Sequence, residues 1–199
     1  MAGTMPHAIF IETDVDGGVA AYAAELPGCA VFAATDEEAA GAMPRRVARF
    51  TAWLREQGEE TPSFVGDNWY EVERAAATPE RRAAFSLDDL PPSDAEFSAW
   101  LRWLELAREE LAEALDTVPD ADPAAFGAIE RQDVAFVREL GGQASPTEGD
   151  PIDRLFAARD ALSEALEAAG SSAEGVRRML RLAISDDLRA AARVRGDEG

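Results

Sequence analysis

Apolar positions in the first third of the chain fall in short runs. Residues 7–13 (His-Ala-Ile-Phe-Ile-Glu-Thr) and 19–26 (Val-Ala-Ala-Tyr-Ala-Ala-Glu-Leu) flank the polar stretch Asp14-Val15-Asp16-Gly17-Gly18. Asp-Gly-Gly between two such runs predicts a hairpin, because glycine supplies the positive φ that a tight turn needs. Pro27-Gly28 punctuates before a third run, Cys29–Ala33, so three strands in a meander are expected. Thr35 and Glu38 stand at capping-box spacing and predict a helix start. Behind them Ala39, Met43, Val47, Phe50 and Leu54 recur at intervals of three and four, one apolar stripe able to lie across a sheet. Pro44 lies within that stripe and is expected to kink or split the helix, since it lacks the donor to the carbonyl four residues back. After Gly58 the chain turns, and Trp69–Arg74 reads as a fourth strand.

The pattern then changes period. Residues 76–92 are mostly polar and proline-punctuated and read as a linker. Ser93 and Glu96 repeat the capping box, and Phe97, Trp100, Leu101, Leu104, Leu111 and Leu115 carry a helical stripe to about Val118. Pro119 ends it. Asp122-Pro123 opens a second helix with apolar face Phe126, Ile129, Phe136, Val137 and Leu140, stopped by Gly141-Gly142. Asp150-Pro151 opens a third, with Ile152, Leu155, Phe156, Leu162 and Leu166, which ends at Gly170. Ser171 with Glu174 is expected to cap a fourth, carrying Val176, Met179, Leu180, Ala183, Leu188 and Val194. Four such helices cannot bury their faces singly and should close as a bundle. The fold class expected is therefore α+β: a β-β-β-α-β module over 5–75, a linker over 76–92 and an all-α four-helix bundle over 93–195.

Composition narrows the functions open to this arrangement. At 199 residues and 47% hydrophobic, the chain can build two small cores. Its basic side chains are all arginine, and the formal charge is −20 at pH 7. Such a surface repels a phosphate backbone, so nucleic acid is not expected as a partner. A single cysteine, Cys29, excludes an intrachain disulfide. No run of about 18 apolar residues points to a membrane helix, and a cytoplasmic location is the expectation.

Asp16-Gly17-Gly18, Glu25-Leu26-Pro27-Gly28-Cys29 and Thr35-Asp36-Glu37-Glu38-Ala39, in that order and spacing, resemble the HicB-like fold. That is a truncated ribonuclease-H-like β-β-β-α-β module found in antitoxins of toxin–antitoxin pairs. The resemblance covers about the first third of the chain and implies a binding scaffold without the acidic metal cluster of a working nuclease. Antitoxins of this kind often add a helix-turn-helix or ribbon-helix-helix, and neither is evident here. Glu139-Leu140-Gly141-Gly142 and Arg177-Arg178-Met179-Leu180 resemble, in turn, the DinB-like four-helix bundle. Metal-binding members carry one histidine on the second helix and two, four residues apart, on the last. Ile184 and Leu188 stand at the matching last-helix positions, and the only histidine is His7, so the resemblance implies a lost metal site and no cofactor.

Individual residues carry what chemistry there is. His7 opens a strand and reads as an edge residue rather than a base or ligand. Cys29, with no histidine near it in sequence to lower its pKa, reads as a small buried hydrophobe rather than a nucleophile. Asp133 shares a face with Phe126, Ile129, Phe136 and Leu140, which turns a carboxylate toward the bundle interior. Unpaired burial would cost several kcal/mol, so an arginine such as Arg159 or Arg181 is the expected partner; a pocket carboxylate is the alternative. Trp100 and Trp103 are expected as core, or as the wall of a pocket. Arg45, Arg46 and Arg49 are a solvated helix face, or a contact for an acidic partner. The Arg-rich last helix (Arg177, Arg178, Arg181, Arg189, Arg193) is expected to answer the Glu-rich first one (Glu105, Glu109, Glu110, Glu113).

The function expected is non-catalytic binding, with a basic protein as a possible partner and a homodimer as a possible state. The alternatives are an antitoxin that neutralises a small basic ribonuclease toxin, and a metal-free transferase or hydrolase that uses Asp133 in a bundle pocket.

Overall fold

The computed structural model describes residues 7–62, 69–78, 81–118, 126–143 and 148–197. The chain divides into two compact units, Met1–Leu90 and Pro91–Gly199. The α+β class is present as expected.

In the first unit, β1 (His7–Val15), β2 (Gly18–Ala23) and β3 (Ala30–Ala33) form an antiparallel meander. Helix α1 (Asp36–Glu56) then crosses over, and β4 (Trp69–Ala76) pairs in parallel with β1, giving the order β3-β2-β1-β4. The first hairpin turns on Asp16 and Gly17, both at positive φ (53° and 80°), as the primed turn types require. Gly18 is needed for a different reason: a Cβ there would lie 2.4 Å from the Ala33 carbonyl oxygen of β3.

β2 ends three residues earlier than the apolar run implied. Ala23 donates to the Cys29 carbonyl and Cys29 to the Leu26 carbonyl, closing residues 24–29 into a loop whose Leu26 and Cys29 are fully buried. Thr35 caps α1 by accepting from the Glu38 N–H at 3.3 Å. Ala39, Met43, Val47, Phe50 and Leu54 are its buried face, packed against β2 and β3. Pro44 neither ends nor divides this 21-residue helix. One missing donor, worth about 3 kcal/mol in an isolated helix, is outweighed by a stripe of buried side chains on both sides of it.

The expected linker is where sequence and structure part most. Residues as far as Leu90 belong to the first unit, and Ala83, Phe85 and Asp88 are buried. This strap covers the sheet face opposite α1. Ala77 N–H donates to the Thr13 carbonyl, and the Phe85 ring stacks on Phe10 at 4.7 Å. Asp88 in the 3-10 turn Ser86–Asp89 accepts from the Phe85 N–H, while Ser86 donates to Glu73 of β4.

The second unit contains α2 (Asp94–Thr117), α3 (Gly127–Glu139), α4 (Pro151–Ala169) and α5 (Val176–Arg195). α2 packs mainly on α5, and α3 on α4. Leu111, Ala114, Leu115, Phe126, Leu155, Ala190 and Ala191 form one apolar core among them. Ser93 caps α2 in a reciprocal box with Glu96, and Asp150 caps α4 ahead of Pro151. The expected start at Asp122-Pro123 lies outside the described residues. Ser171 and Glu174 do not cap α5: it begins at Val176 after a left-handed Gly175, and the Ser171 hydroxyl donates to Asp94 at 2.6 Å. No helix among the described residues is long and apolar enough to cross a membrane.

Candidate functional site

Polar groups gather at the centre of the bundle. α3 carries Asp133 on the face that also buries Phe136 and Val137. α4 brings Arg159 opposite it, with Nη1 donating to Asp133 Oδ2 at 3.0 Å, and neither side chain is exposed. The Nη2 end of the same guanidinium is paired with Asp187 of α5, so one arginine ties three helices together. Arg108 of α2 donates to Ser163 Oγ at 2.7 Å and to the Arg159 carbonyl. Gln132 Nε2 donates to Asp186 Oδ2 at 2.8 Å, and Arg178 to Glu139.

The electrostatics follow from burial. Removal from water, only partly opposed by Arg159 and Arg108 and reinforced by Asp186, pushes the Asp133 carboxyl up to about 6. Oδ1 of Asp133 accepts no hydrogen bond among the described residues, so the desolvation of that oxygen is not offset by a donor. Burial also lowers the pKa of Arg159, against the pull of Asp133, and lowers that of Arg108. A carboxylate held in this way is a fastener between helices. It has no exposed surface on which to meet a substrate.

Trp100 and Trp103 are buried, the former with the Arg177 guanidinium 4.7 Å from its ring centroid. Ile184 is fully buried and Leu188 partly so. Among the described residues no group of three or more His, Cys, Asp or Glu side chains is placed to hold a metal ion. Arg195 of α5, outside the expected set, pairs with Glu110 and Glu113 of α2, and Arg178 pairs with Glu139 of α3.

In the first unit, His7 lies against Trp69 with ring centroids 4.7 Å apart, its Nδ1 3.8 Å from Glu25. Cys29 is sealed from solvent, and burial, with Arg46 opposing it, pushes the thiol up to about 12, far from the range of a nucleophile. Arg45 and Arg49 are exposed, whereas Arg46 turns inward with its guanidinium 5.9 Å from the Phe50 ring centroid.

Glu12, a buried carboxylate of the first unit, is not among the expected site residues. Glu12 of β1 is fully buried on the strap side of the sheet. It accepts from Tyr22 OH at 2.8 Å, from Arg82 Nε and Nη2 at 3.0 and 2.9 Å, and from the Ala83 N–H at 2.6 Å. Burial alone would raise its pKa, but these donors and the Arg82 charge hold it below the usual range. Its signal in the sequence is a lone carboxylate in the run Ile9-Phe10-Ile11-Glu12, one strand period from Phe10.

No family model matches the chain, and no curated protein or solved structure matches it either.

Proposed function

We propose that this protein is a non-catalytic binding protein, a HicB-like module joined to a DinB-like bundle without a metal site. The observation that carries the reading is the pairing of Asp133 with Arg159 at full burial: the bundle's central carboxylate is committed to holding helices together. Cys29, the chain's one thiol, is buried and held in its neutral form. A formal charge of −20 favours a cationic partner through complementary fields and disfavours nucleic acid.

Metal analysis of purified protein after equilibration with zinc and with nickel tests the bundle half. Trace metal is the expected result, and stoichiometric tight binding of either ion overturns the reading. The antitoxin alternative draws on the β-β-β-α-β order with β4 parallel to β1, together with the acidic charge. It requires a short basic chain encoded beside this one whose toxicity co-expression relieves; full toxicity in the presence of this chain removes it.

A further inference from the structure

β4 is an edge strand: among the described residues no strand pairs with its outer side. Two of the three exposed large hydrophobic side chains among the described residues, Tyr70 at 47% and Val72 at 48%, lie on it. An edge that presents unpaired backbone donors and acceptors beside exposed apolar side chains is a template for another strand. Its charge is one-sided. Asp36 and Glu71 both bind Arg74, and Glu73 accepts from Ser86, so this edge carries three carboxylates to one guanidinium.

That charge selects the occupant. A second copy would bring two such acidic edges together, between chains that each carry −20. A strand with basic side chains meets no such repulsion.

We propose that the outer edge of β4, over Trp69–Ala76, binds an extended cationic segment of a partner protein, with basic residues alternating with apolar ones, as an added strand. The proposal rests on the binding-protein reading and names the surface and the chemistry of its partner. Backbone hydrogen bonds supply the pairing, Tyr70 and Val72 meet the apolar side chains, and Asp36, Glu71 and Glu73 meet the basic ones.

The test uses the full chain and two fluorescein-labelled decapeptides, five Lys-Val repeats and five Lys-Pro repeats, followed by anisotropy at about 0.15 M salt. The peptides carry equal charge, but proline removes the backbone donors that an added strand needs. The Lys-Val peptide is expected to bind at least about tenfold more tightly than the Lys-Pro peptide. Val72→Lys and Tyr70→Lys, both at exposed positions and checked by circular dichroism, should each weaken Lys-Val binding by a similar factor. Amide exchange within residues 69–76 should slow on binding. Equal binding of the two peptides, or none, overturns the proposal. Undiminished binding by the folded variants places the site elsewhere and leaves the broader reading standing. A concentration-dependent dimer abolished by Val72→Lys gives the edge to a second copy, whereas stoichiometric zinc or nickel would remove the broader reading without touching β4.

Discussion

Glu12 and Asp133 are both buried carboxylates paired with arginine, yet they titrate in opposite directions. Glu12 has several donors around it and a pKa held low. Its contribution is present above the unfolded value of about 4.3 and is lost as pH falls through the folded value. Asp133, desolvated and short of one acceptor contact, titrates near 6 in the folded state against about 3.9 unfolded. Across that window the folded state holds a proton that the unfolded state has released, so Asp133 makes stability fall as pH rises and exerts its full cost above about 6. Urea midpoints for Asp133→Asn should lose this decline between pH 4 and 7, and an unchanged slope would refute the assignment. Glu12→Gln should instead flatten the acid limb below pH 4, and Glu12→Ala should cost about 3 kcal/mol at pH 7, moderated because Arg82 keeps 20% of its side chain in water. Asp133 was legible because its spacing with Phe126, Ile129, Phe136 and Leu140 fixed its face, and Arg159 was one of two arginines named for it. Asp187 was not, since two adjacent aspartates in an Arg-rich helix read as surface charge. Every residue of α5 from Arg178 to Asp187 is buried, the charged ones included.

Elements bounded by local chemistry were the readable ones. Thr35, Ser93 and Asp150 cap where their spacing said they would, because a cap depends on backbone within three residues of it. Ser171 and Glu174 had the same spacing without the result. Left-handed Gly175 intervenes, and the Ser171 hydroxyl finds Asp94 instead. The strap was unreadable for a related reason. Its anchors join residues about 70 positions apart, Arg82 and Ala83 to Glu12, while its own composition is that of a linker. Phe85 is the element's apolar anchor, buried and stacked on Phe10. Phe85→Ala should destabilise the first unit by about 3–5 kcal/mol in urea unfolding. A loss under 1 kcal/mol would mean that the strap lies on the sheet without supporting it.

At the scale of the whole chain, the boundary between units decides which fragments can fold. A cut after Ala76, at the end of the expected module, would strip Arg82 and the Ala83 N–H from Glu12 and the Phe85 ring from Phe10. It would leave a carboxylate without two of its donors on a sheet face exposed to water, where its charge is no longer costly but the apolar burial around it is gone. A cut after Leu90 keeps all of these contacts within one piece. Fragment 1–90 should therefore give a cooperative thermal transition and dispersed amide resonances, whereas fragment 1–76 should melt at least about 10 °C lower or lack a transition, given that one kcal/mol shifts a domain of this size by roughly 4–8 °C. Fragment 91–199, which retains Asp133, Arg159, Asp187 and Arg108, should fold alone and keep the decline in stability between pH 4 and 7. If both first-unit fragments melt together, the strap is dispensable and the module ends where its apolar runs end. If fragment 91–199 loses its pH dependence while remaining folded, the buried network is not self-contained in the bundle.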